Sequence, residues 1–230
     1  MEEIKELFNS FGIVLSDLQR NKFDKYFHML VETNKNINLT TITEEKEVWV
    51  KHFLDSLLPL DYFSQNATVV DVGTGAGFPG LPLKIVRSDL KVTLVDSLNK
   101  RINFLKEVVS QLNLSEVNAV HSRAEDFAKG NREVFDFAVA RAVAPLNILL
   151  EYLIPMIKVG GKAIIYKSSK LEEELSMSKQ AINILGVKVL KVKNYKVNSD
   201  MERNVLIVQK VKTTPLKYPR DKNKPRLMPL

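Results

Sequence analysis

Residues 67–83, ATVVDVGTGAGFPGLPL, gather the side chains and turns most able to do chemistry. An apolar run (Val69, Val70, Val72) carries an acid, Asp71, and then breaks at Gly73, Gly75, Gly77 and Gly80. This is the pattern of a buried strand that ends in a turn needing free backbone dihedrals, followed by a helix whose unpaired N–H groups face that turn. A ligand can approach such a main chain closely. Taken alone, Gly75 to Gly80 matches GxGxxG, and Asp96 ends the next apolar run, so a dinucleotide fingerprint is formally met. Asp71 argues for a different ligand, because a carboxylate beside a pyrophosphate opposes the attraction of the helix N-terminus. S-adenosylmethionine carries an ammonium, a sulfonium and no phosphate, so an acid at the strand tip suits it. Asp96 can still take ribose hydroxyls. A glycine-rich turn with no ligand is the plain alternative.

Those residues need elements to hold them. From residue 68 onward, strand and helix patterns alternate, with strands at 68–72, 91–96, 117–122, 134–140 and 161–167. Helices fall near 80–87, 98–112, 124–130, 145–157 and 170–184. Two further β runs, 187–197 and 203–211, are joined only by the polar NSDME, too short for a parallel crossover, so they form an antiparallel hairpin. The expectation is an α/β protein: a Rossmann-like methyltransferase sheet of seven strands, mostly parallel, with the last strand antiparallel. Ahead of it, residues 1–33 read as two helices with a cap at Ser16 or Asp17 and an apolar face of Leu18, Phe23, Tyr26, Phe27, Leu30 and Val31. A further helix starts near Thr43, burying Trp49, Phe53, Leu57 and Leu58. His52 and Asp55, three apart, share one face of it. The expected organisation is a helical cap over 1–60, the methyltransferase domain over 61–211, and a basic, proline-rich tail over 212–230 whose prolines exclude a helix or a central strand.

Ligands of an open parallel sheet bind beyond the carboxyl ends of its strands. Glu125, after the third strand, is placed to touch an adenine edge, or serves as a helix N-terminal acid. Arg141 and Lys167 put cations at the tips of the fourth and fifth strands. Composition narrows the partners. The chain has 230 residues, no cysteine and three separated histidines, so disulfides, thiol catalysis and cysteine-ligated zinc are excluded and no metal is expected. There is no signal peptide or membrane-length apolar run, which points to the cytoplasm. Net charge is +7; residues 187–230 hold 12 of 34 Lys and Arg but 3 of 27 Asp and Glu, a net +9. That asymmetry points to a polyanionic partner, with a solvated basic tail as the alternative.

Several segments together, DVGTGAGFPGLPL, NLT (38–40), HFLDSL (52–57), DSLNKRINFL (96–105), RAED (123–126), ARAVAPL (140–146) and the terminal YPR, resemble the bacterial RsmG family, also called glucose-inhibited division protein B. The resemblance covers essentially the whole chain. It implies methyl transfer from S-adenosylmethionine to N7 of a guanine in the 530 loop of 16S ribosomal RNA. It implies cofactor contacts at Gly73, Phe78, Ala124, Glu125 and Arg141, with Asp71 and Asp96 supporting them; Gly75 and Gly77 of the glycine turn are expected to bind the cofactor as well. It also implies a substrate entrance flanked by Asn38, His52 and Asp55. Arg141 and Lys167 are expected to position the base rather than move protons. Lys217, Arg220, Lys222, Lys224 and Arg226 are expected to contact phosphates of free RNA, the small subunit or an assembly intermediate, bound by a monomer. The family usually shows a glycine where this chain has Asn223. A methyltransferase for small molecules, and an RNA-binding module with no activity, are the competing readings.

Overall fold

The protein was analysed as a computed structural model, which describes residues 2–198 and 201–230; Met1 and, in the NSDME link, Ser199 and Asp200 lie outside them. Helix α1 (Glu2–Ser10) turns Ile4 and Phe8 inward, and the chain reverses at Gly12. Helix α2 (Asp17–Asn34) starts at a reciprocal cap: the Gln19 N–H donates to Ser16 Oγ (3.2 Å) and the Ser16 N–H to Gln19 Oε1 (2.9 Å). It buries Phe23, Tyr26 and Leu30, whereas Leu18, expected on the apolar face, sits in the first turn at 67% exposure. Helix α3 (Glu45–Val48) is capped by Glu44 and widens into a π-helical turn, Trp49–Leu54, before α4 (Asp55–Leu57). The wide turn changes the register of the faces, and both His52 and Asp55 point into the protein.

The sheet follows as β1 (Thr68–Val72), α5 (Gly80–Val86), β2 (Lys91–Asp96), α6 (Asn99–Gln111), β3 (Val117–His121), α7 (Ala124–Gly130), β4 (Phe135–Arg141), α8 (Leu146–Leu153) and β5 (Ile157–Lys167). Then come α9 (Leu171–Met177), α10 (Lys179–Leu185), β6 (Val187–Asn198), β7 (Met201–Lys210) and α11 (Lys224–Leu227). The strand order is β3-β2-β1-β4-β5-β7-β6; β1 to β5 pair in parallel and β7 runs antiparallel to both neighbours. This is the sheet expected from the sequence. The order reverses between β1 and β4, which opens a crevice at their carboxyl ends.

Three expectations about helices are corrected. Helix α8 stops at Leu153 because Pro155 lacks an N–H, and a 3-10 turn, Ile154–Met156, leads into β5. The helix expected over 170–184 is two, parted at the buried Ser178, whose Oγ donates to the Glu174 carbonyl (2.6 Å). The tail does form one helical turn, α11, because Pro225 falls in its first turn, where no N–H is required. Asn223 precedes it with φ +59°, a left-handed conformation that asparagine tolerates, at the position where the sequence resemblance led to the expectation of a glycine.

Alternation along the strands splits the core. Val69, Leu94, Val139, Ile164 and Ile207 face one side, packed with α1, α2, the π-helical segment, α5 and α6. Val70, Val95, Ala140, Ile165 and Leu206 face the other, against α7 to α10 and Tyr218 of the tail. The N-terminal helices thus share a single apolar cluster with the sheet.

Candidate active site

The glycine turn is shaped by what surrounds it. A Cβ on Gly73, which has φ +68°, would lie 2.7 Å from the Val143 side chain, so only glycine lets the β1 and β4 loops meet. A Cβ on Gly77 would strike Leu81 and the Tyr26 hydroxyl, both 2.6 Å away. Tyr26 donates from that hydroxyl to the Ala76 carbonyl, so helix α2 holds the turn directly.

Asp71 is fully buried and faces neither cavity at the strand ends. Its Oδ2 accepts from the Thr74 hydroxyl (2.7 Å) and the Gly80 N–H (2.8 Å), while Oδ1 has no partner among the described residues. The sequence suggested an acid open to a cationic ligand; the carboxyl instead ties the start of α5 to β1. Burial pushes its pKa up to about 7 against those two hydrogen bonds. Asp96 holds the position expected of it. Its Oδ2 accepts from the Gly75 N–H (3.0 Å) and Arg101 (3.3 Å), its Oδ1 from the Leu98 N–H (2.9 Å).

Two cavities flank this turn. The first, about 610 Å³, is lined by Gly73, Asp96, Leu98, Ala124, Glu125 and Tyr152, and also by Asn223 and Arg226 from the tail. Gly75, Gly77 and Phe78 are not among the residues that line it. The second, about 560 Å³, is lined by Lys51, His52, Arg141, Tyr166, Lys167, Glu174 and Arg203. Ala142, with φ +58°, and Val143 line both and form the partition between them. Each is of a size that takes a small ligand.

Arg141 belongs to the second cavity. Its Nη1 donates to Asp55 Oδ2 (2.6 Å) and the Lys51 carbonyl (3.0 Å), and its guanidinium lies 5.1 Å over the Phe78 ring. Nη2 lies 3.0 Å from His52 Nδ1. A guanidinium can only donate, so Nδ1 is the unprotonated nitrogen and Nε2–H donates to Thr40 Oγ1 (2.8 Å). The His52 ring stacks on Phe78, centroids 4.5 Å apart. Burial, then the Arg141 charge, lower the His52 pKa to about 3, so the imidazole is neutral at working pH. Asp55 Oδ1 accepts from Arg203 Nε (2.8 Å), which makes the buried carboxylate a bridge between β4 and β7. Lys167 donates to the Ala144 carbonyl (2.8 Å) and Glu174 Oε2 (2.5 Å). Asn38 is exposed and lines neither cavity; Asn34 holds the loop, accepting from the Leu39 and Thr40 N–H groups.

The tail residues divide. Arg220, expected to meet phosphate, makes two side-chain hydrogen bonds to the buried Glu151 (2.9 and 2.7 Å) and adds its backbone N–H (2.8 Å), so its guanidinium is tied to the body of the protein. Lys217, Lys222 and Lys224 are exposed. Arg203, Glu174 and Arg220's partner Glu151 were not singled out from the sequence. Their partners lie 148, 7 and 69 residues away, and no spacing rule joins the distant ones.

The model of the GidB family, rRNA small subunit methyltransferase G, matches residues 19–206. The chain belongs to that family. Relatives named ribosomal RNA small subunit methyltransferase G agree over nearly the whole length. The one from Alkaliphilus metalliredigens is 47% identical, covering 99% of this chain and 97% of its own. Those from Staphylococcus aureus and Lactococcus lactis are 47% and 45% identical over 100% of this chain and 98% of theirs. Solved structures share the fold. M. jannaschii TYW2 in complex with AdoMet superposes with TM-score 0.58 at 16% identity, over 74% of this chain and 77% of that one. The 16S rRNA (adenine(1408)-N(1))-methyltransferase from Catenulisporales acidiphilia gives 0.55 at 17%, over 66% and 88%.

The family's cofactor, S-adenosylmethionine, fits the first cavity. Gly73 leaves its wall clear of a Cβ, the buried Asp96 carboxylate on that wall would accept from hydroxyls, and Glu125 lies in the first turn of α7 next to Ala124.

Proposed function

We propose that the protein methylates N7 of a guanine in the 530 loop of 16S ribosomal RNA, as a monomer in the cytoplasm. The observation that carries this reading is the pair of adjoining cavities that share Ala142 and Val143 as a wall, with a neutral histidine on the substrate side. When bound, S-adenosylmethionine supplies an electrophilic methyl on a positively charged sulfur. The chain's residues have to hold the two reactants in line, which by itself removes several kcal/mol from a bimolecular barrier.

Guanine N7 has an exposed lone pair and loses no proton before attack, so no general base is required. His52 suits that chemistry: with Nδ1 accepting from Arg141, it orients the guanidinium and takes up no proton near neutrality. Arg141 and Asp55 fix the floor of the substrate cavity against the N-terminal helices. The cofactor residues in this reading are Gly73, Asp96, Ala124 and Glu125, with Asn223 and Arg226 added at the rim. Asp71, Gly75, Gly77 and Phe78 shape the turn without lining the cavity. Phosphate contacts fall to the exposed lysines of β6 and the tail, which position the RNA without reading it.

The test is transfer of labelled methyl from S-adenosylmethionine to 16S ribosomal RNA, free and within small subunits, followed by mapping of the labelled atom. Label on guanine N7 is the expected result. Label on another base or atom, or none on either substrate, overturns the assignment.

A further inference from the structure

A cavity that receives a polyanion should be lined by cations, and the second cavity is, with Lys51, Arg141, Lys167 and Arg203. Among the described residues that line it, Glu174 is the one carboxylate. It is the half-buried member of a run of three glutamates in α9; Glu172 and Glu173 are exposed. A carboxylate there repels phosphate, and its placement makes sense if it accepts hydrogens from the substrate. Its Oε2 is occupied by Lys167 Nζ (2.5 Å) and the Leu146 N–H (2.6 Å), which leaves Oε1 without a protein partner among the described residues. Lys167 gives one further hydrogen bond to the Ala144 carbonyl, so one of its three donors is left.

We propose that Lys167 and Glu174 together read the Watson–Crick edge of the target guanine. This rests on the guanine N7 reading given above and names the groups that make it specific. Side by side, an ammonium and a carboxylate match an acceptor next to donors, which is the order O6, N1–H, N2–H. Adenine presents the reverse, a donor at N6 followed by the bare N1, so both protein groups would meet a like partner. Inosine keeps O6 and N1–H and lacks the N2 amino group. This edge also leaves N7 free, whereas an arginine fork on O6 and N7 would occupy the lone pair that must attack. A buried polar group left unpaired by the wrong base is a strong source of rejection.

The experiment uses small subunits reconstituted with guanosine, inosine or adenosine at the mapped position, and compares kcat/KM for the parent, Glu174→Gln and Lys167→Met. The parent is expected to prefer guanosine over inosine by about tenfold or more, as loss of a hydrogen bond to a charged group predicts. Glu174→Gln should bring that preference to within about threefold, because an amide oxygen is the weaker acceptor. Lys167→Met should lower both rates and leave the preference in place, since both bases carry O6. A purely structural Lys167–Glu174 pair would lower rates in both variants with the preference intact in each, and that result overturns the inference. Equal rates on guanosine and inosine in the parent overturn it without any variant. Failure of the parent to label guanine N7 at all would instead be the failure of the functional assignment.

Discussion

At the scale of single residues, His52 and Asp71 are buried titratable groups with opposite effects. The folded-state pKa of His52 is lowered from 6.5 to about 3, so between those values the unfolded chain binds more protons and stability rises with pH. Asp71 is raised from 3.8 to about 7, so in that window the folded chain binds more protons and stability falls as pH rises. Denaturant unfolding of His52→Gln is therefore expected to lack the stabilising slope between about pH 3 and 6.5, and Asp71→Asn to lack the opposing slope between about 4 and 7. In catalysis the same neutrality predicts single-turnover methylation that is flat between about pH 6.5 and 9. A unit-slope acidic limb that vanishes in His52→Gln would show that a base is needed and that N7 is the wrong atom. Gly73 gives a steric prediction. Gly73→Ala places a methyl where Val143 already sits and holds alanine at φ +68°, at a strain of about 1–2 kcal/mol. Affinity for S-adenosylmethionine, measured by calorimetry, should fall about tenfold or more. Adding Val143→Ala should recover part of the loss, leaving only the backbone strain.

Local elements were legible in the sequence where local chemistry decides them. The βα alternation, the Ser16 cap, the glycine turn and the antiparallel hairpin are all written within a few neighbouring residues. The break at Ser178 and the exposure of Leu18 were not, because each depends on which side of the helix meets the sheet. The candidate site was half legible for the same reason. Asp96, Glu125, Arg141 and Lys167 lie at strand ends, where topology alone places them. Arg203 and Arg220 find Asp55 and Glu151 only after the chain has folded. The tail shows what this changes. Arg220→Gln should leave the buried Glu151 charge without its cation, only the N–H of residue 220 still donating to it, and lower stability by about 3 kcal/mol. Replacing Lys217, Lys222 and Lys224 by glutamine should leave stability nearly unchanged. It should flatten the slope of log K against log salt for RNA by about 0.7–0.9 for each phosphate contact removed. An unaltered slope would mean that these lysines point to solvent in the complex as well.

Across the whole molecule, charge and topology meet at one margin of the sheet. Strand β6 closes the order β3-β2-β1-β4-β5-β7-β6 with one side unpaired, and it is 12 residues long. Leu190 and Val192 on it are 42% and 44% exposed. Such an edge is a template for a second chain, and the usual defences are lysines and an irregularity in the ladder. Both are present: Lys188, Lys191 and Lys196 are exposed, Lys193 lies 4.6 Å over the Tyr195 ring, and the register with β7 shifts between Val189 and Lys191. The strip that would greet RNA phosphates thus also carries the features that oppose pairing with the strand of a second copy. Replacing the four lysines by glutamine should produce concentration-dependent self-association in light scattering at low salt, before any RNA is added. Polyanion binding and colloidal solubility would then be properties of one strand, and neither could drift without the other.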